Sequence, residues 1–303
     1  MFVLGALVAC TPGVLQLSAG ESKTFPAAAD AVKALGQAVN TTNRAALREL
    51  FGDASDALSN PDPVQGEREW TDFSAAFNAT NYLSAESDSR LVLEVGHDAW
   101  PLPIPLVKTS SGWRFDAAAG LEEILNRRIG RNELEVLRVM RAYVEAQREY
   151  ATRDRDDDDV LEYAQHMAST PGLTDGLYWP PQLNGEISPL GPFVAEAQAE
   201  GYTGKLASNP PGPRPFHGYL FKMLTRQGKN APGGKYDYVI NGNMIGGFAL
   251  VAWPVEYGES GVMTFIVNQR GRVYQKDLGP DTGKITKKMD AYDPGAGWQA
   301  SGD

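Results

Sequence analysis

The sequence predicts an α+β fold in two parts: a helix and antiparallel-sheet subdomain, then a long helix packed against an antiparallel meander. Three observations predict it. Apolar residues recur at helical spacing along Val136, Val139, Met140, Tyr143, Ala146 and Tyr150, with Gln147 on the same face. From His217 to Leu278, short β-prone runs alternate with Gly-rich turns. Between Pro26 and Asp116, helical patterns give way to alternating strands. The expected division is 1–24 as leader and linker, 25–129 as the first subdomain and 130–303 as the second.

Met1 to Ala9 is apolar but too short to span a bilayer as a helix. It reads as the tail of a signal peptide. Pro26 opens a helical region in which Ala29, Val32, Leu35 and Val39, then Leu47, Leu50 and Phe51, mark two amphipathic segments. Gly52 to Gly66 is rich in Asp, Ser, Asn and Pro and reads as loop. Trp70 to Tyr82 reads as a short helix. Leu91, Leu93 and Val95 alternate as a strand, Pro101, Pro103 and Pro105 mark a sheet edge, and Trp113 to Asp116 is a further strand. Trp70, Trp100 and Trp113 are expected in the core.

Leu121 to Arg128 reads as a helix that Gly130 interrupts. Asn132 and Glu135 then fit a capping box that starts the central helix. Tyr163 to Ser169 is expected to form a short helix, and Phe193 to Glu200 another. Tyr219, Phe221 and Met223 alternate with Leu220, Lys222 and Leu224 in a strand. Asn241-Gly242 is a hairpin turn. Met244 to Pro254 is almost wholly apolar and reads as one central strand, with Gly246-Gly247 as a bulge or close approach.

Composition narrows function. The 303 residues carry a formal net charge of -10, with 28 Lys and Arg against 38 Asp and Glu. No basic stripe is present to neutralise phosphates, so no nucleic-acid partner is expected, and electrostatic attachment to anionic lipid is disfavoured. One cysteine, Cys10, allows no internal disulfide. His97, His166 and His217 have no metal-type spacing, so a catalytic zinc is not expected.

The segment after Tyr150 carries the one metal-type pattern. Asp154, Asp156 and Asp158 have the one-three-five spacing of a calcium loop, with the Val160 carbonyl at the seventh place and Glu162 as a further oxygen donor. The sixth place holds Asp159 instead of Gly, and the twelfth holds Gln165 instead of Glu. The alternative is a solvated acidic loop without an ion. Calcium is thus the single cofactor that the residues suggest.

Several stretches carry resemblances. Leu7-Val8-Ala9-Cys10 resembles the lipobox of bacterial lipoproteins, which implies a lipid on Cys10 and a periplasmic or outer-membrane-attached location. The alternative is an apolar amino terminus with a buried cysteine. Helices followed by a curved meander make residues 25–129 similar to nuclear-transport-factor-like or cystatin-like cones. Arg128-Ile129-Gly130-Arg131-Asn132-Glu133, Gly176-Leu177-Tyr178-Trp179, Met244-Ile245-Gly246-Gly247-Phe248 and Ser260-Gly261-Val262-Met263-Thr264-Phe265 resemble the bacterial "domain of unknown function 2950" family of exported proteins. That family usually has Asp-Gly-Asp-Gly where this chain has Asp156 to Asp159. The central helix, Ala146-Gln147, Tyr150 and the Gly-rich sheet ending in Val267-Asn268 also resemble the soluble head of type IV pilin-like proteins.

These readings leave three function classes. The first is a non-enzymatic exported scaffold or assembly module with a protein partner in the envelope. The second is a ligand- or calcium-binding module. The third is a hydrolase using Asp175, Glu186 or Glu256 with His217, which would require those groups to converge.

Overall fold

The structure is a computed structural model that describes residues 22–181, 183, 185–202 and 215–302. Cys10 and the whole of Met1 to Ala9 lie outside the described residues. Helices and antiparallel sheets make the fold α+β. The chain divides into two compact units. Unit 1 contains Met1–Leu58 and Ser74–Leu121, and unit 2 contains Ser59–Phe73 and Glu122–Asp303. Sequence order assigns Ser59 to Phe73 to the first subdomain, whereas its contacts lie in unit 2.

In unit 1, α1 (Ala28–Asn40) and α2 (Arg44–Phe51) form at the expected places. Asn43 caps α2, its Oδ1 accepting from the Ala46 N–H at 3.1 Å. The predicted loop after Gly52 instead holds α3 (Ala54–Leu58) and the start of α4 (Pro63–Ala79), whose residues up to Phe73 belong to unit 2. Asp62 makes that start possible: its Oδ1 accepts from Val64 and Gln65, and Pro63 occupies the first turn, where no N–H is required. The sheet contains β1 (Asn81–Ser87), β2 (Arg90–Val95), β3 (Trp100–Pro101), β4 (Leu106–Thr109) and β5 (Gly112–Phe115). It is antiparallel, in the order β1-β2-β4-β5, with β3 on β2.

Leu35, Leu50, Phe77, Leu93, Leu106 and Phe115 are buried in this unit's core. None of the three tryptophans expected in the core is buried: Trp70 and Trp113 are half-buried, and Trp100 is 43% exposed, because β3 is a two-residue edge piece that Pro101 prevents from extending. Gly112, at φ 130°, lies so close to the Phe25 carbonyl that a Cβ would sit 2.3 Å from its oxygen.

The helix α5 (Ala117–Tyr150) is continuous over 34 residues. The expected break at Gly130 and new start at Asn132 do not occur. A helix-interior glycine costs only about 1 kcal/mol, less than the packing of a long amphipathic face returns. Asn132 has no need to cap, because its buried amide finds tertiary partners.

Unit 2 packs its part of α5 on a sheet. Its elements are β6 (His166–Ala168), β7 (Gly176–Tyr178), α6 (Gly191–Ala199), β8 (Tyr219–Leu224), β9 (Arg226–Gln227), β10 (Tyr236–Asp237), β11 (Val239–Ile240), β12 (Asn243–Met244), β13 (Ala249–Pro254), β14 (Met263–Asn268), β15 (Tyr274–Asp277), α7 (Thr282–Lys288), β16 (Ala291–Tyr292) and β17 (Gln299–Ala300). The expected helix over 163–169 is replaced by β6, a parallel partner of β7.

The main sheet runs β17-β15-β14-β13-β8 and is antiparallel throughout. All of β13 is buried, as its unbroken apolar run demands. The run from Met244 is nevertheless two strands, not one. A Cβ on Gly246 would meet the Asp237 carbonyl at 2.8 Å, and Gly247 has φ 144°. This crowded turn swings Phe248 inward, where its ring meets Tyr143 at 5.5 Å and Tyr163 at 4.8 Å. Val136, Met140, Tyr143, Val144, Ala146 and Tyr150 of α5 join Tyr219, Leu250, Val251, Phe265 and Ile266 in one core.

Candidate functional site

The acid loop begins where α5 ends. The Arg155 guanidinium stacks over the Tyr150 and Trp179 rings, 4.8 and 5.0 Å from their centroids. This anchors the base of the loop and leaves the aspartates outside. Asp154 folds the loop around itself: its Oδ1 accepts from the N–H groups of Asp156 and Asp157, and its Oδ2 from Asp159. Asp157 and Asp159 have φ 60° and 65°. Asp159 therefore adopts the left-handed turn that a glycine would supply at the sixth place, a conformation Asp tolerates better than most residues.

As a result, carboxylate oxygens of Asp154, Asp156 and Asp158 lie within 4.8 Å of one another. Their electrostatics diverge. Slight desolvation pushes Asp154 up, but N–H groups of Asp159, Asp156, Asp157 and Asp158 outweigh it and hold it below the usual carboxylate range. Desolvation, then the charges of Asp158 and Asp154, raises Asp156. A hard divalent cation takes oxygen donors of this kind and would relieve the repulsion.

Of the four predicted carboxylate ligands, these three meet. Glu162 is directed elsewhere, its Oε2 accepting from the Met244 N–H at 2.7 Å. The Val160 N–H donates to Asp158 Oδ1, and Asp158 Oδ2 accepts from the Asn243 amide. At the twelfth place, Gln165 donates to the Gly242 carbonyl. The loop is thus tied to the β11–β12 hairpin. Its exit is fixed by Gln147, which pairs with the Ala164 backbone on both sides: Nε2 donates to the carbonyl and Oε1 accepts from the N–H, each at 2.9 Å.

A second polar constellation surrounds His217, also in unit 2. Gln65 Oε1 accepts from Asn60, and Gln65 Nε2 lies 3.1 Å from Asn132 Oδ1 and 2.6 Å from His217 Nδ1. With the amide assigned so, Nδ1 is the acceptor and Nε2–H donates to Glu200 Oε2 at 2.9 Å. Both ring nitrogens are engaged. Tyr202 donates to Asp62 Oδ2 at 2.8 Å and accepts from the His217 N–H. Gly218 N–H also reaches Asp62. His217 itself has φ 47°, a left-handed conformation that costs a non-glycine residue about 1–2 kcal/mol. Asn132 completes the network by donating to the Ser260 carbonyl at 2.8 Å.

Asp175, Glu186 and Glu256 do not converge on this histidine. Asp175 holds the Thr170 hydroxyl and N–H, and Glu186 pairs with Arg153. The Glu256 main chain bonds Ser260, and the ring nitrogens of His217 are taken by Gln65 and Glu200. The hydrolase set proposed from sequence is not assembled. Asp62, Gln65, Glu200 and Tyr202 were not singled out from the sequence. Asp62-Pro63 carries a helix-start signal that could have identified the first of them; the others have none.

A sequence profile described as "Protein of unknown function (DUF2950)" matches residues 22–301. The chain belongs to the DUF2950 family. The match spans both the acid loop and the His217 network of this family member. No curated protein and no solved structure matches it.

Proposed function

We propose that this chain is a non-enzymatic component of the bacterial cell envelope, an exported scaffold or assembly module whose second unit is a pilin-like head. One observation supports the reading above the rest. The strip from Val136 to Tyr150 is buried against β8, β13 and β14 as a spine under a meander. The polar groups on α5 serve that packing: Glu133 Oε1 accepts from the Val262 and Met263 N–H groups, and Gln147 holds Ala164. Lipidation of Cys10 would attach the module to a membrane. Fractionation of a bacterial host tests this. The chain is expected in the membrane fraction, and Cys10→Ala in the soluble periplasmic fraction. Recovery of both in the cytosol would refute the reading.

A calcium-binding role is a second reading, favoured by the gathering of Asp154, Asp156 and Asp158. Calcium would hold these carboxylates together and brace the β11–β12 hairpin through Asp158 and Asn243. Millimolar calcium, in the range of extracellular modules, is then expected to raise the melting temperature. Asp156→Ala is expected to abolish that rise. An unchanged melting curve across the titration would sink the idea.

A further inference from the structure

The edge of the unit 1 sheet carries an interaction surface. Among the described residues, β1 pairs with β2 alone, so its other side is open. Hydrogen bonding fixes which backbone groups face outward. The Gly96 N–H donates to the Thr80 carbonyl, and the antiparallel register continues as Asn81↔Val95, Tyr82↔Glu94 and Leu83↔Leu93. Bonded and non-bonded pairs alternate in such a ladder. The Tyr82 and Ser84 main-chain groups therefore point to β2, while those of Asn81, Leu83 and Ala85 point away from it.

Those outward groups border a groove. It has a volume of about 430 Å³ and lies between α1 and β1, with Val32, Gly36, Phe77 and Leu83 as apolar lining. Gly36 lets the Phe77 ring close the floor of the groove against α1: a Cβ there would sit 2.9 Å from that ring. Lys33 lines the same groove, is exposed, and takes part in none of the ion pairs among the described residues. An open strand edge specifies an extended backbone, an apolar slot specifies an aliphatic side chain, and a free ammonium specifies an acidic neighbour.

We infer that the groove between α1 and the β1 edge binds an extended peptide segment of a partner protein, with an aliphatic residue in the slot and a carboxylate toward Lys33. The segment adds as a strand beside β1, bonding to the Asn81 and Leu83 main chain. The inference concerns unit 1 and stands apart from the calcium reading and from the lipidation of Cys10.

The test uses the full chain and the fluorescein-labelled peptide Val-Ser-Glu-Ser-Val-Ser-Glu, which keeps valine and glutamate on one face of an extended strand, followed by fluorescence anisotropy. Saturable binding is expected. It should weaken about tenfold with Lys33→Glu and with a peptide carrying lysine in place of glutamate. Leu83→Pro, which removes an outward N–H from an edge strand, should weaken it at least as much. Ala85→Pro replaces that variant if it melts early. Absence of binding, or equal binding by the variants or by the lysine peptide, overturns the inference. So does a chain dimer that Leu83→Pro dissociates, since a second copy would then occupy the edge.

Discussion

Replacing Gln147 by leucine tests how the acid loop is held to the helix. Leucine fits the site in size and keeps the helix propensity, so the loss isolates the hydrogen bonds. Gln147 and Ala164 are both buried, and the wild-type amide satisfies the Ala164 N–H and C=O together. Leucine strands both groups. Each buried unsatisfied group costs about 1–3 kcal/mol, so a loss of about 4 kcal/mol is expected. For a unit of this size that corresponds to a fall in Tm of about 8–16 °C. Urea unfolding read by tryptophan fluorescence suits the measurement, because Trp179 and Trp253 lie in the same core. A loss below about 1 kcal/mol at an unchanged denaturant slope would refute the reasoning. It would mean that the chain after the loop finds other partners for Ala164, and that the loop exit is not fixed.

Gly130→Ala is expected to stabilise the chain by about 0.5–1 kcal/mol, since an added Cβ meets nothing within 4 Å and α5 runs straight through. A loss of stability in thermal melting would restore the hinge predicted at this glycine. Glu133→Ala should cost about 2–3 kcal/mol by leaving the Val262 and Met263 N–H groups without their acceptor; chemical denaturation within error of the wild type would contradict that. Burial raises the phenol of Tyr150 to about 12 and that of Tyr238 to about 12, and pushes Tyr143 and Tyr219 up further. The folded state therefore favours the protonated phenols, and their contribution is intact below the ordinary value of about 10 and lost as pH rises toward 12. Tyrosinate absorbance of these residues should appear only together with loss of the near-ultraviolet dichroism of the fold; titration on an intact fold would disprove the burial argument.

Periodicity and turn chemistry account for the parts of the fold legible in the sequence. The spacing of Val136, Met140, Tyr143 and Tyr150 can bury one face only as a helix, and the structure buries that face. Asn241-Gly242 turns the β11–β12 hairpin with φ 54° and 99°, as its residue types require. The same local logic misleads at Asn132, where a good capping residue sits inside a helix because Gln65 and Ser260 supply distant partners. It also misleads at Met244 to Pro254, where an apolar run is broken by main-chain crowding at Gly246.

The candidate site divides in the same way. The order Asp154, Asp156, Asp158 is written in the chain, and short-range turns suffice to bring the three carboxylates together. Glu162 follows the same spacing yet answers to the Met244 N–H, a demand that arises only once the hairpin is in place. The sequence by itself thus determined the α+β class, the spine helix, the hairpin and the aspartate cluster, because each depends on residues within a few turns or strand lengths. Tertiary structure alone decided the continuity of α5, the fate of Asn132 and Glu162, and the assembly of Asp62, Gln65, Glu200 and Tyr202 around His217. The physical reason is that a buried polar group must find a partner wherever the fold offers one, and that partner can lie far along the chain, as Ser260 does for Asn132.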